Sequence, residues 1–238
     1  MAKSGILKSS LVKKYWMAAT GLFLCTFLLG HLAGNLQLFM SGIEGKTQFN
    51  EYALFMTTNP VVKILSYVTY ASILFHAIDG IVLAVQNKKA RPTNYAYNKP
   101  GENSSWASRN MAMLGTVLLV FIIVHMQNFW AKMHFSEMPM QTVGPDGPLE
   151  IPIKDLHKIV MDFFNPDVNS WALVVTIVYV IGQLAVAFHL SHGFASAFQS
   201  MGLNHKRYNP IIKLLGFGFS ILVPALFASI PVYLFFFR

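Results

Sequence analysis

The sequence predicts an all-α integral membrane protein with five spanning helices. Its 238 residues are 54% hydrophobic and only 12% charged, whereas soluble domains carry about 25% charged residues. Five apolar runs each reach the roughly 20 residues that a helix needs to cross a bilayer. None of these runs alternates polar and apolar residues as a barrel strand would, so all five are predicted to be helices.

The apolar runs set the predicted boundaries. Helices are expected at about residues 15–40, 61–86, 109–131, 170–198 and 211–237, with an outer loop at about 132–169. The chain, residues 1–238, is interpreted as a single membrane domain. Pro224 and Pro231 are predicted to kink the last helix without ending it, because packed neighbours can satisfy the freed carbonyls.

Lysine and arginine residues in the short loops predict the orientation, because such residues collect on the cytoplasmic side. The N-terminal segment and the second and fourth loops are basic, whereas the first and third loops balance their cations with carboxylates. We therefore expect a cytoplasmic N-terminus and an outer C-terminus. The net charge of +8 is explained by these clusters, so no nucleic-acid partner is expected. The basic residues are Lys3, Lys8, Lys13 and Lys14, then Lys88, Lys89, Arg91, Lys99 and Arg109, then Lys206, Arg207 and Lys213.

The outer loop contains two local signals. Residues 143–148, with two prolines and two glycines, have the composition of a turn. Residues 154–164 place apolar side chains at helical spacing among charges, which predicts a short amphipathic helix lying on the outer membrane interface.

Four histidines lie deep in apolar runs, one in each of the first four predicted helices: His31, His76, His125 and His189. An ionisable side chain inside a membrane span is costly and usually functional. A single one would fit a hydrogen bond between helices. Four in four successive spans predict two pairs of axial ligands for two stacked haem irons within the helix bundle.

The depths of these histidines predict the pairs. His31 lies 17 residues after Lys14, and His125 lies 16 residues after Arg109, so both are about 25 Å from the cytoplasmic side. By the same rise, His76 and His189 fall in the inner half of the membrane. The expected pairs are therefore His31 with His125, and His76 with His189. With two histidines on each iron, such haems serve electron transfer, and the lack of a C-x-x-C-H motif makes them b-type.

Several other residues are candidates for contact with the haems. Gly80 and Gly193 lie four residues after His76 and His189, on the same helix face, and would leave room for a flat ligand. Gly30 and Gly34 flank His31 in a GxxxG pattern that fits close helix packing equally well. His192 is an alternative ligand to His189, and we prefer it as a propionate contact. Arg109 is a propionate candidate or a plain cytoplasmic charge. The glycines are Gly30, Gly34, Gly80 and Gly193.

These motifs together resemble the di-haem cytochrome b subunit of succinate:quinone oxidoreductases. That subunit is the five-helix membrane anchor of succinate dehydrogenase and fumarate reductase. The similarity covers the first four helices, whereas the fifth helix and the outer loop match only in character. The matching segments are residues 17–24 (MAATGLFL), 27–31 (FLLGH), 74–77 (LFHA) and 188–193 (FHLSHG), with Gly115 ten residues before His125 and Met201-Gly202 downstream.

The resemblance implies a function and partners. His31 and His125 would hold the distal haem b, and His76 and His189 the proximal haem b, with a flavoprotein and an iron–sulfur subunit on the cytoplasmic face of a bacterial inner membrane. Electrons would pass between succinate or fumarate and a membrane quinone, with menaquinone the expected type.

Some members of the family have functional glutamates at two positions. Some members carry a glutamate two residues before the fourth ligand as a proton route, and here that position is Ala187. A second glutamate of such members lies near the quinone. Glu51 is the candidate here, with Glu44 behind it, although a solvated loop charge explains Glu51 equally well.

Two other function classes compete with this one. A cytochrome b subunit of another quinone-linked complex, such as a hydrogenase or formate dehydrogenase, would share the histidine ligands, but the order of the ligands and the fourth-helix H-x-x-x-G segment argue against it. A transporter that uses histidines as proton relays would be expected to have inverted repeats or broken helices, and the sequence has neither.

Overall fold

The computed structural model describes residues 9–90 and 99–238. Its five longest apolar helical segments are long and apolar enough to cross a membrane: Ser10–Phe39, Pro60–Lys89, Met111–Phe135, Ala172–Ser200 and Asn209–Phe237. The predicted all-α membrane class with five spanning segments is therefore confirmed. Lys3, Lys8 and Arg91, which entered the orientation argument, lie outside the described residues.

The observed helices run a few residues beyond most of the predicted limits. The last one continues through both Pro224 and Pro231, so the prediction that these prolines do not end it is confirmed. In chain order, the helices are α1 Ser10–Asn35, α2 Gly42–Thr58, α3 Pro60–Lys89, α4 Pro100–Asn103, α5 Trp106–Arg109, α6 Met111–His125, α7 Lys132–Phe135, α8 Leu156–Phe164, α9 Ala172–Ser200 and α10 Asn209–Phe237.

Two short irregular segments extend the first and third spanning segments. A 3₁₀ turn, Leu36–Phe39, follows α1. A π-helical segment, Met126–Ala131, begins directly after His125 and joins α6 to α7. Since π-helical turns inside helices are rare and occur often at functional sites, the position of this one beside a predicted ligand is notable.

The region between the first two spans is a helix, α2, where the sequence suggested only a loop. It ends at Thr58, and α3 begins two residues later at Pro60. The side-chain oxygen of Asn59 accepts hydrogen bonds from the amides of Val61 and Val62, at 2.9 and 3.3 Å, and so caps α3. Proline in the first helical position fits this start, because its missing N–H would have no partner there.

The long loop at about 132–169 contains an antiparallel hairpin that the sequence did not reveal. Strand β1 (Met140–Gly144) pairs with β2 (Gly147–Lys154), and Gly144 lies opposite Gly147 across a tight turn. The turn predicted within residues 143–148 is present between the strands, and the helix predicted at 154–164 is present as α8, which begins at Leu156 because Lys154 belongs to β2. Gly147 has φ of 121°, a conformation that side-chain-bearing residues rarely adopt.

Five polar side chains, here called the loop clamp, bind α2 to the hairpin and to the start of α8. Asn50 donates to Gln141 at 2.8 Å and to Asp155 at 2.9 Å, and it accepts from the amide of His157 at 2.8 Å. Asn50 is only 1% exposed, so these hydrogen bonds replace water completely. The clamp consists of Lys46, Thr47, Asn50, Gln141 and Asp155.

The chain divides into two compact units. Unit 1 comprises the described parts of Met1–Phe27, Val68–Leu119 and Ala185–Leu222, and unit 2 comprises Leu28–Tyr67, Val120–Leu184 and Val223–Arg238. The apolar core of unit 2 is formed by seven buried side chains: Leu38, Phe49, Val160, Phe164, Tyr179, Ile230 and Leu234.

Candidate functional site

In unit 2, the structure brings together the two histidines that the sequence paired at one depth. His31 projects from α1 and His125 from the last residue of α6. Their ring centroids are 5.8 Å apart, with the ring planes at 84°. Residues separated by more than 90 positions in the chain therefore come together inside a membrane-spanning segment.

In unit 1, the other predicted pair also meets. His76 on α3 and His189 on α9 have ring centroids 6.1 Å apart, with planes at 67°. The two pairs thus have nearly the same geometry, although they are formed by different helices.

The spacing within each pair fits a shared metal ion. A metal ion binds an imidazole nitrogen at about 2 Å, and that nitrogen lies roughly 1 Å from the ring centre, so two opposed imidazoles have centroids about 6 Å apart. A direct N–H···N hydrogen bond of about 2.9 Å would instead bring the centroids to about 5 Å. The observed 5.8 and 6.1 Å are compatible with the first arrangement.

Aromatic side chains surround the His31 pair. Phe227 lies 5.5 Å from His31, and His125 has Phe121, Phe129 and Tyr179 within 6.0 Å, measured between ring centroids. The Nδ1 atom of His125 is buried and has no hydrogen-bond partner among residues 9–90 and 99–238. A buried polar atom without a partner is costly, and iron bound at Nε2 would leave this one unpaired, so it does not by itself point to a haem.

The His76 pair is held differently. Nδ1 of His76 lies 3.1 Å from the carbonyl oxygen of Met17 and 3.3 Å from the hydroxyl of Thr20. Because a carbonyl only accepts, Nδ1 carries the proton and Nε2 keeps its lone pair free for a metal ion. The Nδ1 atom of His189 is buried without a hydrogen-bond partner in the described part of the chain.

The contacts of Met17 and Thr20 with His76 were not foreseen from the sequence. A backbone carbonyl has no sequence signal, and Thr20 also bonds the carbonyls of Trp16 and Met17 in its own helix, as threonines in helices commonly do. The structure adds a further glycine contact, because a Cβ atom on Gly21 would lie 3.1 Å from His76 Cε1.

The four glycines that were expected to leave space fall into three groups. Among the described residues, a Cβ atom at Gly30 or Gly80 would meet nothing within 4 Å, so open space lies beside both. At Gly193 a Cβ atom would make ordinary contacts with Met111, at 3.9 Å, and with His189, at 4.0 Å. At Gly34 it would collide with the ring of Tyr52 at 2.4 Å, which favours the packing interpretation there.

The remaining candidates lie apart from the ring contacts within the two pairs. His192 is half-buried on α9, and Arg109 is exposed, its guanidinium donating to the carbonyls of Pro100 and Ser104. Glu51 is exposed on α2 and has no ion pair in the part of the chain that the structure describes. The propionate and quinone roles of these residues stay predictions.

The donor set fits a haem better than a free metal ion. Within the two described ranges, no group of three or more His, Cys, Asp or Glu side chains converges as a metal site. Protein sites for single ions such as zinc use at least three protein ligands. A porphyrin supplies the equatorial nitrogens itself and needs only axial ligands from the protein, which is what a histidine pair offers.

Fold and site together define a multi-pass helical membrane protein with two opposed histidine pairs, each within one of the compact units. No protein-family model, no curated protein and no solved structure matches this chain.

Proposed function

We propose that this chain is a di-haem cytochrome b that anchors a succinate:quinone oxidoreductase in a bacterial inner membrane. In this role it carries electrons between an iron–sulfur subunit and a quinone, expected to be menaquinone. The observation that carries the proposal is the juxtaposition of His31 with His125 and of His76 with His189, with ring centroids at 5.8 and 6.1 Å, a distance compatible with one iron between two imidazoles.

In the proposed function, the protein holds two haems by their axial ligands and keeps water away from them. In each pair, His31 with His125 and His76 with His189, both axial positions of one iron would be taken by imidazole. Haems bound in this way pass single electrons and leave no position for oxygen or substrate. The hydrogen bond to the Met17 carbonyl orients His76 and keeps its Nε2 available. The aromatic rings around His125 exclude water from that pair.

The order of the two haem sites along the electron path follows from the predicted orientation. The His76 pair would lie nearer the flavoprotein and iron–sulfur subunits on the cytoplasmic face, and the His31 pair nearer the quinone. Glu51, exposed on α2, is the proposed acidic residue at the quinone site. Ala187 cannot carry a proton, so we do not assign a transmembrane proton route to that position.

The test is a reduced-minus-oxidised absorption spectrum of the purified full chain, with the haem content measured per polypeptide. We expect b-type bands and two haems per chain. Absence of these bands would end the haem assignment and leave a histidine-relay transporter as the better candidate.

A second measurement separates the possible complexes. When the chain is purified gently from its native membrane, a flavoprotein with covalently bound flavin and an iron–sulfur protein should accompany it. Copurification with a hydrogenase or a formate dehydrogenase would support the assignment as a cytochrome b but contradict the assignment to a succinate:quinone oxidoreductase.

A further inference from the structure

The turn between α9 and α10 contains an apolar cavity of about 380 Å³ that the electron-transfer function does not use. Because it joins two spanning helices, this turn lies at a membrane surface whichever way the chain is oriented. The cavity is lined by Phe198, Gly202, Leu203, His205, Tyr208 and Ile212, all within unit 1.

Local hydrogen bonds hold the turn in a defined shape. Gly202 has φ of 83°, which ends the run of α9. The side chain of Asn209 accepts from the amide of His205 at 3.2 Å and donates to Asn204 at 2.7 Å. The cavity is therefore bordered by an ordered turn.

Two basic side chains, Lys206 and Arg207, and the ring of His205 lie at the edge of this cavity. The guanidinium carbon of Arg207 lies 6.0 Å from the ring centroid of Tyr208, and the ring of His205 lies 5.6 Å from the same centroid. Lys206, between them, is exposed. Neither Lys206 nor Arg207 forms an ion pair with any described residue.

No carboxylate in the local sequence offsets this charge. The last acidic residue of the chain is Asp167, and the two spanning helices that follow it contain neither Asp nor Glu. The turn thus combines an apolar cavity with uncompensated positive charge at the depth where lipid headgroups lie.

We propose that this turn binds one anionic phospholipid. The phosphate would lie against Arg207 and Lys206, with His205 beside it, and an acyl segment would occupy the cavity against Leu203 and Ile212. Basic pockets at the ends of spanning helices bind anionic headgroups in this manner. The cavity volume falls at the lower end of the roughly 300–1,000 Å³ typical of small-molecule sites, enough for part of one acyl chain.

The experiment is native mass spectrometry of the full chain in detergent, titrated with dioleoyl phosphatidylglycerol or with dioleoyl phosphatidylcholine. We expect phosphatidylglycerol to bind at least tenfold more tightly. Since each cation near a membrane surface contributes about fivefold to the affinity for anionic lipid, the double variant Lys206→Gln, Arg207→Gln should lose most of that preference.

Two further variants separate the headgroup contact from the acyl contact. Lys213→Gln removes an exposed cation that does not line the cavity, and it should change the preference less than twofold. Leu203→Asn should weaken both lipids and leave their ratio unchanged. All the substituted side chains are exposed, so helix content by circular dichroism should not change.

The outcome that overturns the proposal is equal binding of the two lipids, or an unchanged preference in the double variant. Either result would leave the cations available to an acidic segment of a partner protein. This test needs no haem, so its failure would not affect the electron-transfer proposal.

Discussion

The loop clamp and the two histidine pairs differ in whether their buried polar atoms have hydrogen-bond partners. In the clamp, Asn50, Gln141 and Asp155 are each at most 3% exposed, and each has hydrogen-bond partners within the chain. In the pairs, the Nδ1 atoms of His125 and His189 are buried and lack hydrogen-bond partners among the described residues. The difference shows that the loop clamp satisfies its buried polar atoms from within the described chain, whereas the two histidine pairs do not.

The physical reason lies in the cost of desolvation. A buried donor or acceptor without a partner costs about 1–3 kcal/mol, and the clamp avoids this cost with its own side chains. The Nδ1 atoms of His125 and His189 have no such partner among the described residues, so they bear this cost.

The largest expected effect comes from removing one member of a pair. In His125→Ala, His31 loses the ring 5.8 Å away and with it the second axial ligand. We expect the loss of one haem of the two, retention of the other, and no quinone reduction. The haem content and spectrum of the purified variant check this result.

His134→Ala is the matched control for that change, because His134 is exposed at the end of the same spanning segment. It should keep both haems. If His125→Ala kept both haems as well, the assignment of the His31 pair would be wrong.

The next test asks whether the open space beside the His76 pair belongs to a haem. A Cβ atom at Gly80 would meet no described atom within 4 Å, so packing alone predicts that Gly80→Leu is harmless. If the space beside Gly80 instead holds the edge of a haem, the leucine side chain would displace it, and the variant should lose about one haem per chain while its helix content stays the same. Normal haem content in this variant would argue that the glycine faces lipid.

A smaller effect is expected from breaking the loop clamp. Asn50→Ala removes three hydrogen bonds and leaves polar groups of Gln141 and Asp155 buried with fewer partners. We expect a loss of about 2–4 kcal/mol in local stability. Hydrogen exchange of the hairpin amides, Met140–Lys154, measures it directly.

An exposed asparagine supplies the comparison for the clamp variant. Asn103→Ala lies on α4, away from the clamp, and should change the hairpin's protection by no more than about 0.5 kcal/mol. Haem content should be normal in both variants, and a loss of haem in Asn50→Ala would contradict the view that the clamp is only structural.

The smallest effect is a pH dependence of the clamp. Burial alone would raise the pKa of Asp155, but hydrogen bonds from Lys46, Asn50 and the Lys158 amide outweigh it and lower that pKa below its usual value. The stabilisation of the folded loop by the Asp155 carboxylate is therefore fully present above its unfolded pKa of about 3.9. It is lost as the pH falls through the lower pKa of the folded state.

The measurement compares the wild type with Asp155→Asn by thermal unfolding at a series of pH values. The wild type should unfold at a higher temperature at neutral pH, and the difference should narrow below about pH 4. A difference that stays constant down to acidic pH would show that the Asp155 carboxylate does not carry this stabilisation.

Much of this molecule could be predicted because helices have a regular rise. Counting residues from the flanking cations placed His31 and His125 at one depth, and the structure brings their rings together. The loops were harder to predict. Helix α2 and the hairpin carry no long apolar periodicity, and they are stabilised by contacts such as Asn50 with Gln141 and Asp155, which are 91 and 105 residues away in the chain.

The sequence by itself determined the membrane class, the five spans and the four histidines, because hydrophobic length and the cost of a polar group in lipid are local properties of a segment. Only the tertiary structure decided that Met17 and Thr20 hold His76, that a π-helical segment follows His125, and that Arg207 stands beside the cavity at Tyr208. These features depend on backbone carbonyls, helix geometry and distances across the fold, and no residue type or spacing encodes them on its own.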